Sequence, residues 1–312
     1  MLSCCFRRTV SIAVFASSTT VIACERSKVV AHIDTASVVS GRSVVERGAT
    51  PSVYNWNELA GPALLVQGGS LQEAIVLFPV GGDSAIAADI LALQDSRAKV
   101  TLYGRGGQQL TAKLGISPAM TVAECRVWPL ADIRSDAPGV AWAIGFVGGQ
   151  TAALPLDSVE VLTPRDSMAL VAEASRLASS VTSSTVASFQ GLRFTVHDIR
   201  RFEASPGVQA MVAHTIRKVN QEASPQEEQT LLIAERDSGV SNGPYHLVYA
   251  DRANGLEEEL TIPEVIAGVR IGGRPTLIVA RDSDEGVFYL MLERVGRNQW
   301  KVRWTSAMTR CG

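Results

Sequence analysis

Thr230-Leu231-Leu232-Ile233-Ala234-Glu235-Arg236-Asp237-Ser238-Gly239-Val240 returns later in the chain as Thr276-Leu277-Ile278-Val279-Ala280-Arg281-Asp282-Ser283-Asp284-Glu285-Gly286-Val287. Each copy holds an apolar run of strand length. Each closes on an Asp-Ser pair, meets a glycine shortly after, and then an aromatic residue: Tyr245 in the first copy, Phe288 or Tyr289 in the second. The shared punctuation matters because turn residues set register, and a one-residue slip turns every side chain to the other face. Apolar runs precede the copies (residues 208–219 and 265–271) and follow them (245–250 and 287–292), with a further segment after each (258–262 and 299–305). Residues 208–262 and 265–305 are therefore expected to be two copies of one four-stranded antiparallel unit.

Four short strands in forty-odd residues is the period of a propeller-like blade. Val265 to Trp304 resembles an FG-GAP-type blade, and Gly273-Arg274-Pro275-Thr276-Leu277 is similar to the glycine-proline turn before the second strand of that family. Such blades often carry an acidic metal loop ahead of this turn. Ile271-Gly272-Gly273 offers no carboxylate there, so the resemblance implies no calcium site. Two blades do not close a ring. Either residues 63–162 supply the remainder or the assembly is open.

Residues 63–162 carry β signals of their own. Gly-Gly pairs at Gly68-Gly69, Gly81-Gly82, Gly106-Gly107 and Gly148-Gly149 suit tight turns. Residues 100–103 and 109–114 flank one expected hairpin, and residues 140–147 and 150–154 another. Residues 84–93 read as a short helix. A stronger helix signal follows: Thr163 as cap, Pro164 at the first position and Asp166 three residues after the cap. Leu170, Val171, Ala174, Leu177, Ala178 and Val181 then recur at helical spacing. The polar run Ser179-Ser180-Val181-Thr182-Ser183-Ser184-Thr185 marks a boundary. The reading is a mainly β chain with two β-rich parts, 59–162 and 186–312, and blade-like repeats in the second. One amphipathic helix (163–181), within a helix-and-linker segment 163–185, bridges them. An α+β arrangement is the alternative.

The first residues address a different question. Arg7 and Arg8 precede an uncharged apolar stretch that ends at Val21-Ile22-Ala23-Cys24, the parts of a secretory signal. A cysteine directly after a small residue resembles the lipobox of bacterial lipoproteins, which implies diacylglycerol on Cys24 and loss of residues 1–23. The family pattern prefers leucine where Val21 stands, and Val21 with Ala23 also suits an ordinary signal peptidase. Plain secretion to the periplasm is therefore the alternative. Residues 24–58, with valine pairs among polar groups, read as a tether or poorly defined segment containing strand pieces.

Five cysteines sort by position. Cys4 and Cys5 leave with the signal and Cys24 takes the lipid. Cys125 and Cys311 remain, and in an exported chain they are expected to form a disulfide; two buried thiols are the alternative. No cysteine or histidine stands at metal-ligand spacing from either, so no metal is expected. The net charge of −2, made more acidic by loss of Arg7 and Arg8, gives no basic stripe for nucleic acid. An apolar share of 46 % supports a packed core.

Nothing downstream forms a catalytic signature. Asp282-Ser283-Asp284-Glu285-Gly286 places Val287 where a calcium loop needs glycine, and reads as a hairpin turn. Gly104-Arg105-Gly106-Gly107 lacks the last glycine of a dinucleotide loop. Ser96-Arg97-Ala98-Lys99 has the serine–lysine spacing of penicillin-binding enzymes without their partner motifs. His32, His197, His214 and His246 are dispersed, and His214 shares a strand face with Val212 and Ile216 as a half-buried side chain. Trp300-Lys301-Val302-Arg303-Trp304 alternates, which places Trp300, Val302 and Trp304 on one core face. Glu227-Glu228 and Glu257-Glu258-Glu259 read as loop edges. These observations favour an envelope lipoprotein that acts as a non-catalytic binding or structural module without a cofactor. Its partners would be the membrane, through the lipid, and an envelope protein or glycan. The alternative is an envelope hydrolase with a site assembled from distant residues such as Asp282, Asp284 and a histidine.

Overall fold

A computed structural model describes residues 43–46, 55–77, 99–116, 125–126, 128–181, 187–219, 225–239, 243–284, 286–308 and 310–311. In chain order the strands are β1 (Ser43–Glu46), β2 (Leu64–Gln67), β3 (Glu73–Leu77), β4 (Lys99–Tyr103), β5 (Gln109–Ile116), β6 (Cys125–Arg126), β7 (Leu130–Ser135), β8 (Ile144–Val147), β9 (Thr151–Ala153) and β10 (Asp157–Ser158). Helix α1 (Pro164–Ser180) follows. Then come β11 (Thr195–Ser205), β12 (Val208–Val219), β13 (Gln226–Asp237), β14 (His246–Leu256), β15 (Ile262–Ile271), β16 (Arg274–Ser283), β17 (Gly286–Gly296), β18 (Gln299–Thr305) and β19 (Arg310–Cys311). The chain is mainly β with one α-helix among the described residues, as its patterning requires.

Packing builds four layers. Helix α1 covers one face of a six-stranded sheet ordered β1-β14-β13-β12-β11-β10. The other face of that sheet meets a five-stranded sheet, β18-β17-β16-β15-β9. Behind it stands a closed barrel, β2-β3-β7-β5-β4-β8. Residues 63–162 thus supply a barrel and two edge strands, not further blades, and the two larger sheets form a sandwich.

The echoed segments occupy equivalent central places, β13 and β16. Thr230 pairs with Arg252 in the hairpin of β13 with β14, and Thr276 pairs with Glu293 in that of β16 with β17. Each echoed strand is buried on both faces, so its apolar run is unbroken. Leu231 and Ile233 enter the sandwich while Leu232 and Ala234 meet the helix layer. Leu277 and Val279 enter the sandwich from the other side while Ile278 and Ala280 meet the barrel. Each such aliphatic side chain contributes about 1.5–3 kcal/mol on burial. The fourth strands differ from the expectation. Residues 258–262 do not form a strand in the first unit; a tight turn at Glu257–Glu259 leads into β15. The Glu257 carboxylate, drawn to Lys218 at 2.7 Å, anchors that turn. The first unit takes its fourth strand from β11, ahead of β12, whereas the second takes β18 from behind β17.

The position after the echoed alanine carries opposite charges in the two copies, Glu235 and Arg281. Both are buried, at 2 % and 3 % exposure. Glu235 accepts from Arg294 Nε at 2.7 Å and Nη2 at 2.9 Å, and from Trp300 Nε1 at 2.7 Å. Arg281 pairs with Asp251 of β14. Each second strand therefore grips the third strand of the opposite sheet, an approximate two-fold exchange across the sandwich.

Four other expectations are corrected. Trp300 and Trp304 do not share a face: Met291 pairs with Trp304 but Leu292 with Val302, so a bulge at Arg303 turns Trp304 to the barrel side. Glu227 and Glu228 are not loop edges. They lie buried in the central strand β13, where Arg217 and Arg252 both pair with Glu228 and Lys218 with Glu227. Val171 stays 38 % exposed, off the packed face of α1. β8 and β9 do not pair with each other. β8 closes the barrel against β2 and β4, and Gly148-Gly149 hands the chain to β15 through β9. At Gly149, φ is +80° and a Cβ would lie 2.5 Å from Ala60 O, so any side chain would push away residues 58–61. The hairpin of β4 with β5 forms as expected around Gly104 to Gln108. Thr163 Oγ1 accepts the Asp166 N–H at 3.2 Å, the expected cap of α1.

Candidate functional site

A cavity with charged walls lies between the first half of α1 and the end of the six-stranded sheet, with a volume of about 510 Å³. The helix contributes Asp166, Ala169, Leu170 and Glu173, one position or one turn apart, so they share a flank. The sheet contributes Arg201 from β11 and Arg236 from β13, and the chain before β14 contributes Tyr245. Register explains the convergence. Arg201 pairs with Met211 and Arg236 with Gln209, two residues apart and so successive on one face of the strand between them. The two arginines thus stand two strand spacings apart and two residues apart along the strands, about 12 Å between Cα atoms, on the helix-facing side.

Electrostatics distinguish these groups. The Arg236 guanidinium stacks 4.5 Å from the Tyr245 ring centroid, and its Nε donates to Gln209 Oε1 at 2.9 Å. Tyr245 Oη donates to the same oxygen at 3.0 Å. Among the described residues no carboxylate lies within ion-pair distance of Arg236. Among the described residues Arg201 pairs only with Asp157, at 3.4 Å. On the helix wall Glu173 is engaged, taking Arg176 through two hydrogen bonds and the Tyr245 N–H. The Arg176 guanidinium holds the Glu173 carboxyl below its usual range. Burial raises the Tyr245 phenol, while Arg236 and Arg201 oppose that rise. Asp166 is exposed at the rim with no ion-pair partner among the described residues.

A second polar cluster sits inside the sandwich. Gln229 Nε2 donates to Glu227 Oε1 at 2.6 Å, which orients its Oε1 toward His214 Nε2 at 3.2 Å. That oxygen only accepts, so Nε2 carries the proton and buried Nδ1 is left without a partner. His214 is fully buried rather than half-buried, and the His197 ring lies against it with centroids 5.3 Å apart. Burial, then the charges of His197 and Arg281, push the His214 imidazole down to about 4. His214 is therefore neutral when folded but charged when unfolded below its ordinary 6.5. Its contribution to stability is complete above pH 6.5, is lost as pH falls toward 4, and is constant below. The full loss is about 3 kcal/mol. Unfolding free energies of wild type and His214→Gln, compared between pH 7 and pH 4, should converge by that amount; parallel pH profiles would contradict the assignment.

Among the described residues, Asp282 and Asp284 are not brought together with His214 or His246. Asp282 belongs to the side of β16 that faces the barrel, whereas His214 faces the sandwich; Asp284 lies in the turn to β17, and His246 is exposed. Among the described residues no three His, Cys, Asp or Glu side chains cluster as metal ligands. Arg105 of the Gly104 turn pairs with Glu264. Cys125 and Cys311 are opposite one another in the ribbon of β6 with β19. Cys24, His32, the residue 84–93 helix, and Ser96, Arg97 and Ala98 lie outside the described residues. No sequence motif announced the cavity, because Arg201, Arg236 and Tyr245 come from three separate segments and meet only through register. Comparisons with protein-family models, curated proteins and solved structures find no match to this chain.

Proposed function

We propose that this chain is a non-catalytic binding module of the bacterial cell envelope, held to the membrane by lipid on Cys24, with its ligand seated between α1 and the six-stranded sheet. The observation that carries the reading is the cavity itself: Arg236, which has no carboxylate within ion-pair distance among the described residues, and Arg201, held by Asp157 at 3.4 Å, line a space of small-molecule size with the exposed Asp166 at its rim. The positioning groups are there, and among the described residues the wall holds no nucleophile beside a base, which suits recognition rather than turnover. Loading the full chain with bacterial envelope extract and identifying what co-purifies tests this. Wild type should retain a ligand that Arg236→Gln loses at least tenfold. Identical retention by both proteins would refute the site.

Anchoring has its own test. A diacylated and N-acylated cysteine holds a protein stably at a bilayer, whereas one chain does not. Cys24→Ala should move the protein from the membrane pellet to the soluble fraction after carbonate washing; continued pelleting would count against lipidation.

A further inference from the structure

The charges that line the cavity also restrict what it accepts. Arg201 and Arg236 sit on the sheet wall, and the Tyr245 ring stacks on the Arg236 guanidinium. Glu173 is already neutralised by Arg176, so it leaves little attraction for a ligand cation. Asp166 is different: it lines the same cavity from the first turn of α1 and has no basic partner among the described residues. An anion alone, such as phosphate, would satisfy the arginines but leave Asp166 at the rim without a counter-charge. A cation alone would satisfy Asp166 and meet two guanidinium groups. Only a ligand carrying both charges satisfies the sheet arginines and the rim carboxylate together. Leu162, Ala169 and Leu170 supply a small apolar patch between the charged groups.

We infer that the cavity selects an amino-acid-like zwitterion, a free amino acid or short peptide, with its carboxylate on Arg201 and Arg236 and its ammonium on Asp166. The inference rests on the cavity being the ligand site of the proposed binding module. A planar guanidinium matches a carboxylate with two parallel hydrogen bonds; Gln209 takes the Nε–Nη2 edge of Arg236 and the Tyr245 ring holds its plane, which leaves the Nη1–Nη2 end for the ligand. The volume of about 510 Å³ admits a dipeptide.

Calorimetric titration of the full chain in detergent tests this with four probes: alanyl-alanine, its N-acetyl form, its C-terminal amide, and inorganic phosphate. Alanyl-alanine should bind at least tenfold more tightly than either blocked form, and phosphate should not displace it. Arg236→Gln should abolish binding of the free and N-acetyl peptides. Asp166→Asn, at an exposed position that leaves the fold intact, should weaken alanyl-alanine to the level of its N-acetyl form and leave the latter unchanged. Equal affinity for the amide and the free peptide, displacement by phosphate, or insensitivity to Asp166→Asn would overturn the inference. The two readings fail separately. If no probe binds but capture from envelope extract depends on Arg236, the zwitterion is wrong and the site stands. If capture is also indifferent to Arg236, both fall.

Discussion

Glu235→Ala should destabilise the protein by about 3–5 kcal/mol, the cost of stranding one partner of a buried ion pair. The carboxylate is enclosed between the two sheets and takes three hydrogen bonds, two from Arg294 and one from Trp300. Alanine leaves the guanidinium without its counter-charge and the indole N–H without an acceptor, both in the sandwich. Arg294 side-chain exposure is 11 %, so water offers little compensation. Replacing both members, Glu235→Leu with Arg294→Met, should cost far less than Glu235→Ala, because no charge is then stranded. Denaturant unfolding of the three proteins measures this. A loss below about 1 kcal/mol for Glu235→Ala would mean that the pair is solvated and that the sheets do not close over it.

Cys125→Ser with Cys311→Ser should be of similar size. We propose a disulfide between these residues, supported by the register of β6 with β19, in which Cys311 is the direct partner of Cys125. Directly opposed antiparallel residues have Cα atoms about 4.5–5.5 Å apart, within the range that a disulfide spans. The loop it would close runs from the barrel through both sheets to the chain end, and on the chain-entropy model its closure corresponds to about 5 kcal/mol before native strain is subtracted. The double variant and the dithiothreitol-treated wild type should unfold at the same, lower denaturant concentration. An unchanged midpoint in dithiothreitol, or free thiols in the oxidised protein under denaturing conditions, would remove the bridge.

The fold was legible wherever burial is two-sided and local. Thr230 to Ala234 and Thr276 to Ala280 read as strands because both faces of each are covered, and their shared turn residues disclosed the paired hairpins. Thr163, Pro164 and Asp166 announced α1 because capping is chemistry between near neighbours. What escaped was long-range. The bulge at Arg303 inserts one residue against Met291 and Leu292, and no pattern within Trp300 to Trp304 carries that information. Glu227-Glu228 looked solvated because their cations, Arg217, Lys218 and Arg252, come from neighbouring strands. His197 and His214 meet across β11 and β12, although seventeen positions separate them in sequence. The cavity was hidden for the same reason: Arg201, Arg236 and Asp166 are brought together by sheet register and helix docking, which leave no spacing to read.

Hydrogen exchange followed by mass spectrometry tests the central claim, that this chain binds a small ligand between α1 and the six-stranded sheet. The full chain should be compared alone and with the low-molecular-weight fraction of a bacterial envelope digest. A ligand seated against Asp166, Arg236 and Tyr245 stabilises the local openings that expose the surrounding amides. Exchange should slow at least threefold in peptides covering residues 164–173 and 243–247, and the barrel strands β2 to β5 should not change. Slowing confined to the barrel or to the β15–β18 meander, or no change anywhere, would contradict the account.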